Sequence, residues 1–217
     1  MKPSLYKAVF VAILALSASS FAADASSFKP PAGAKVAIVM FEDLECPDCA
    51  VNYPVVWEQA RLHQIPVMLY DFPLPRHNWS FKAAVWARFF DTKSQKIGID
   101  FRGFIYANQQ QINLGNLPQW VQKFADSNKI PVPFAEDPEG KLAALVKADY
   151  ALGQRIGIEH TPTVFVIGRG AVAAPFVEVV DRAQLSQNIE DMLKKAGPAT
   201  PAPKPASTKK TSKKKTS

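Results

Sequence analysis

Cys46 and Cys49 are the only two cysteines among 217 residues. Only Pro47 and Asp48 separate them. A structural disulfide normally closes a long loop, because that removes more entropy from the unfolded chain. A bridge around Pro47 and Asp48 would constrain almost nothing. A four-cysteine zinc site is excluded by count, and His63 and His77 show no metal-ligand pattern with the cysteines, so no metal or other cofactor is expected. What remains is redox work, in which one thiol exchanges with a partner disulfide and the second resolves the mixed disulfide.

Such a pair needs an attacking thiol that is exposed and partly ionised at neutral pH. A helix N-terminus supplies the ionisation, because its unpaired N–H groups and dipole lower a thiol pKa from ~8.5 to within ~3.5–7.5. The run KVAIVMFED (35–43) is apolar and β-branched and reads as a buried strand. A helix is predicted from near Pro47, a residue suited to the first helical turn. Cys46 is then the attacking and accepting thiol at the helix start. Cys49 is the resolving thiol one turn in, more buried and with a pKa closer to normal.

The elements that must hold this junction follow from the rest of the chain. IPVMLYDFPL predicts a second strand, ended by Pro73 and Pro75. From about 78 to 157 the pattern is helical, with Asn78 as the expected cap of the first helix and Asp137-Pro138-Glu139 as the expected start of the last. TPTVFVIG returns to strand, Arg169-Gly170 suits a hairpin turn into AAPFVEVV, and Asp181 caps a final amphipathic helix ending at Gly197. The order is strand, helix, strand, helical block, strand, strand, helix. The expected fold class is α/β, thioredoxin-like, with a helical insertion between the second and third strands.

Three segments carry a more specific signal: VMFEDLECPDC, DFPLPRHNW and GIEHTPTVFVIG. Together they resemble the DsbA-like family of thioredoxin-fold thiol–disulfide oxidoreductases, over roughly Lys35 to Ala196. The resemblance implies that Pro162 is cis and faces the cysteine pair, and that the backbone of Thr161 pairs with an extended substrate segment. It implies oxidation of cysteine pairs in newly exported proteins, with unfolded or folding proteins as substrates and a membrane quinone-linked protein as re-oxidant. Many relatives carry an acid six residues before the first cysteine; that position is Met40 here, which makes Glu42 and Glu45 the acidic candidates for a proton route. Asp48 stands where strong oxidants of the family carry histidine. A carboxylate there opposes thiolate formation, so a less oxidising couple is expected. His160, two residues before Pro162, is the candidate for restoring positive charge near Cys46.

The two ends read as additions to the fold. Residues 1–22 have a basic start, a short apolar stretch and the small-x-small site Ser20-Phe21-Ala22, which predicts a secretory signal cleaved after Ala22 or after Ala25. The apolar stretch is shorter than the ~20 residues a membrane span needs. Residues 198–217 are Lys- and Pro-rich with no acidic residue, and read as a disordered tail. Of 26 lysines and arginines, two lie in the leader and six in the tail, leaving 18 against 19 acidic residues for the domain at 23–197. The formal charge of +7 is therefore a property of the ends, and nucleic-acid binding by the domain is not indicated. The tail's charge suits attraction to anionic membrane or cell-wall polymer.

The expected product is a monomeric, periplasmic or otherwise exported oxidoreductase. A reductase or isomerase kept reduced by a membrane electron donor uses the same residues in the opposite direction. A non-catalytic binding or chaperone-like module on this fold would have no need of either cysteine.

Overall fold

The computed structural model describes residues 23–170 and 176–198. The predicted leader and its first cleavage site, and the tail beyond Pro198, lie outside those residues. β1 (Val36–Glu42) is buried along its whole length. Alternate residues supply two separate cores: Val36, Ile38 and Met40 face one side, and Ala37, Val39 and Phe41 face the other. That double burial is why its sequence is continuously apolar rather than alternating. β1 pairs in parallel with β2 (Val67–Asp71) and antiparallel with β3 (Thr163–Gly168), which pairs antiparallel with β4 (Phe176–Glu178), in the order β2-β1-β3-β4.

α1 (Pro47–His63) connects the two parallel strands, as a parallel pair requires. Between β2 and β3 lie four helices: α2 (Ser80–Asp91), α3 (Gln95–Asn108), α4 (Leu117–Ser127) and α5 (Lys141–Arg155). α6 (Leu185–Lys195) packs Leu185, Ile189 and Met192 into the same core as α1. The fold is the thioredoxin-like α/β arrangement with a helical insertion between its second and third strands.

Local details depart from the sequence pattern where a distant group does the work of a neighbour. α2 begins at Ser80, and Asn78 makes no cap; its first N–H groups are taken by a carboxylate from the β1–α1 loop. α5 begins at Lys141 rather than near Asp137, because residues 137–140 form a turn with Gly140 at φ +67°. The Asp137 carboxylate still reaches the first turn, accepting from the Ala143 N–H at 2.8 Å. Asp181 caps a single 3-10 turn at Arg182–Gln184 rather than α6 itself.

Where α5 crosses the sheet, the backbone comes too close for a side chain. A Cβ on Gly153 would lie 2.6 Å from the ring of Phe72 and 3.2 Å from that of Phe41. Both rings are buried, so neither can swing into solvent. Gly153→Ala is therefore expected to destabilise the fold by ~1–3 kcal/mol, as overpacked cores do. Urea unfolding measures this; an unchanged midpoint would mean that α5 does not sit this close to the sheet.

Candidate active site

The loop between β1 and α1 is held by one buried carboxylate. Asp43 Oδ1 accepts from the Glu45 N–H at 2.8 Å and the Ser80 hydroxyl at 2.5 Å, while Oδ2 accepts from the Leu74 N–H at 2.7 Å and pairs with His77 Nδ1 at 2.7 Å. Glu45 Oε2 accepts from the Trp79 and Ser80 N–H groups at 2.7 and 3.1 Å, placing an anion at the α2 N-terminus, where the helix dipole favours it. Gln109, in the turn after α3, donates its side-chain amide to the carbonyls of Leu44 and Cys46 at 2.9 and 3.0 Å. The loop is thus tied to the β2–α2 segment and to the helical insertion at once.

This fixes Cys46 as the N-cap of α1, with extended backbone and Pro47 at the first helical position. Both cysteines are free thiols. Cys46 is 3% exposed, so it is more covered than an attacking thiol was expected to be; the Thr161 carbonyl lies 3.2 Å from its sulfur and accepts its thiol proton. Its pKa is nevertheless lowered to about 6. The largest cause is the hydrogen bond from the Cys49 thiol. Burial opposes this, while the Thr161 side chain and the backbone N–H groups of Cys49 and Asp48 add to it. Asp48 thus helps the thiolate through its backbone, and its carboxylate is exposed to solvent.

Cys49 was expected near a normal pKa; the structure raises it well above that. Burial is the main cause, followed by its hydrogen bond to Cys46 and the Cys46 charge, with the Glu42 charge adding to them. The Asp43 N–H donates to its sulfur at 3.4 Å. Two thiols in one helical turn are therefore pushed in opposite directions.

Glu42 shares the inward face of β1 with Met40, since side chains two apart on a strand point the same way. Its carboxylate is buried, forms an ion pair with Arg102 at 2.9 Å and accepts from the Tyr106 hydroxyl at 3.0 Å. Burial raises its pKa to about 7 against the pull of Arg102. Arg102 also holds Asp91 at 2.9 Å, and Arg88 joins Asp71 and Asp149 to the same buried group. Of the three acid and histidine candidates, the structure brings Glu42 into the electrostatic range of Cys49, commits Glu45 to α2, and leaves the His160 side chain exposed, with no hydrogen bond to either sulfur among the described residues.

The Thr161–Pro162 peptide is cis and leads into β3. Beside it lies a cleft of about 520 Å³ whose walls include Asp48 and Asn52 of α1, Pro162 and Glu178. The profile of the thioredoxin family matches residues 31–193. The chain belongs to that family. No curated protein sequence matches it. Among solved structures it is similar to α-DsbA1 of Wolbachia pipientis, with 17% identity, a TM-score of 0.62, and coverage of 75% of this chain and 88% of that one. BdbD of Bacillus subtilis matches at 21% identity and TM-score 0.58, covering 73% and 88%. ScsC of Proteus mirabilis matches at 20% identity and TM-score 0.57, covering 75% and 70%. This chain shares the fold of these structures.

Four residues of this family member's site carried no signal of their own in the sequence: Asp43, His77, Tyr106 and Gln109. DFPLPRHNW marked the segment that docks on the loop, yet not the carboxylate it docks to. The thiolate ultraviolet absorbance of the reduced protein is expected to titrate with a midpoint at about pH 6. Because this folded pKa lies below the unfolded one, the thiolate's contribution to stability is full above the ordinary thiol range and is lost as pH falls through 6. A midpoint near ~8.5 would show that neither the Cys49 thiol nor the α1 N-terminus ionises Cys46.

Proposed function

We propose that this chain is an exported protein disulfide oxidoreductase that oxidises cysteine pairs in exported proteins and is re-oxidised by a membrane quinone-linked protein. The observation that carries this reading is the opposed pKa shifts of Cys46 and Cys49 within one turn of α1. A substrate thiolate attacks Cys46 Sγ in the Cys46–Cys49 disulfide; the S–S bond breaks and its electron pair leaves on Cys49 Sγ, which takes up a proton. A second substrate thiolate attacks the substrate sulfur of the mixed disulfide, and Cys46 leaves as its stable thiolate. The substrate loses two electrons and two protons; the chain gains the two electrons and one proton, and the other proton goes to solvent.

The proton that Cys49 needs is assigned here to Glu42. Its pKa of about 7 lets it hold a proton at working pH, and its charge is felt at Cys49. Glu42→Gln is expected to slow reduction of the oxidised protein by a dithiol by on the order of 10²-fold, the scale of general acid–base catalysis, and to remove the limb of the pH–rate profile near 7. An unchanged rate and profile would leave Glu42 as a structural partner of Arg102.

The direction of flow depends on how strongly the reduced form is stabilised. A Cys46 pKa of about 6 lies above the ~3.5 of the most oxidising couples, which predicts a potential more reducing than ~−120 mV. The potential should also fall by ~59 mV per pH unit below the Cys46 midpoint and by ~30 mV above it, where one proton rather than two accompanies two electrons. Equilibration with glutathione across pH measures both. A couple near the ~−270 mV of strong reductants would turn the assignment to a reductase kept reduced by a membrane donor. Cys46→Ser is expected to abolish exchange; activity surviving in that variant would favour a non-catalytic binding module.

A further inference from the structure

The walls of the cleft beside the Thr161–Pro162 turn are unevenly charged. Asp48 lies in the first turn of α1, Glu178 ends β4, and Asp181 follows it, while a smaller adjoining hollow that shares His160, Thr163 and Glu178 adds Glu159. Against these four carboxylates stand Arg182 and, when protonated, His160. Among the described residues none of the four carboxylates forms an ion pair, and the one side-chain bond among them is Asp181 Oδ1 accepting from the Ala183 N–H at 2.9 Å. The excess is local, because the domain as a whole carries 18 basic and 19 acidic residues.

A second feature sets this cleft against the reacting sulfur. The cleft meets the dithiol at Thr161, a residue 5% exposed whose carbonyl accepts the Cys46 thiol proton and whose buried hydroxyl has no hydrogen-bond partner in that state. Val180, 93% exposed, offers an apolar contact in the cleft lining. A segment that presents a sulfur to Cys46 must therefore lay its neighbouring residues along the acidic rim. We propose that the cleft selects substrate cysteines flanked by lysine or arginine, with Glu178 and Asp181 as the specificity-determining residues; this rests on the dithiol-exchange reading above. Each exposed charge pair contributes little, but a low-dielectric wall focuses several into one field, and a glutamate in the same place is repelled rather than unpaired.

The test uses the full chain with Cys46 and Cys49 oxidised, and two peptides identical except for lysine or glutamate on both sides of a single cysteine. Each rate of mixed-disulfide formation is divided by that peptide's rate with the neutral bis(2-hydroxyethyl) disulfide, which removes differences in intrinsic thiol reactivity. The normalised lysine-to-glutamate ratio is expected to be on the order of tenfold at moderate salt, to shrink as salt is raised, and to drop at least ~3-fold in Glu178→Gln/Asp181→Asn, which keeps the shapes and the cap. A ratio of one or below, or a ratio that the double variant leaves intact, overturns the selectivity while normal reaction with 2-mercaptoethanol preserves the exchange reading. No reaction with 2-mercaptoethanol overturns both.

Discussion

One constraint governs the rest of this molecule: Cys46 must stay at the open end of α1 while Cys49, a single turn on, stays dry. The first sulfur meets backbone N–H groups and the Cys49 thiol; the second meets burial and neighbouring negative charge. Free rotation of the β1–α1 loop would average those environments. Asp43 prevents it by accepting from donors on its own loop, from the β2–α2 segment and from the start of α2. An ionised acceptor with several donors strengthens each bond, and removing it would strand the buried donors.

The helical insertion is part of the same apparatus. Arg102 on α3 reaches Glu42 on β1, and Tyr106 one turn later donates to the same carboxylate. A buried ion pair of this kind is weak grounds for stability, since desolvation offsets much of its attraction. Its effect is better seen in the charge it places: burial raises the Glu42 pKa to about 7, and that charge is felt at the Cys49 thiol. Gln109 then clasps the carbonyls of Leu44 and Cys46 from the same side. The insertion thus covers the site and also tunes it.

The acid on β1 illustrates how a strand can exchange one position for another. Moving a carboxylate from the place of Met40 to that of Glu42 keeps it on the same face, because strand side chains repeat every second residue. Met40 remains in the core with Cys49, and the carboxylate lies one repeat nearer the loop.

Spacing and composition alone determined the strand–helix junction at Cys46, the order of elements and the helical block between the second and third strands. Those follow from local rules: apolar runs, a proline at a helix start, a dipeptide before a strand. Tertiary structure alone decided that Glu45 caps α2 in place of Asn78, that Asp43 anchors the loop, and that the Cys49 pKa rises far from normal. It also decided that the Glu42 charge is felt at Cys49, with the carboxylate itself paired to Arg102. Each of these depends on a partner dozens of residues away and on how much water is excluded between them, and neither quantity is written in the spacing of residues along a chain.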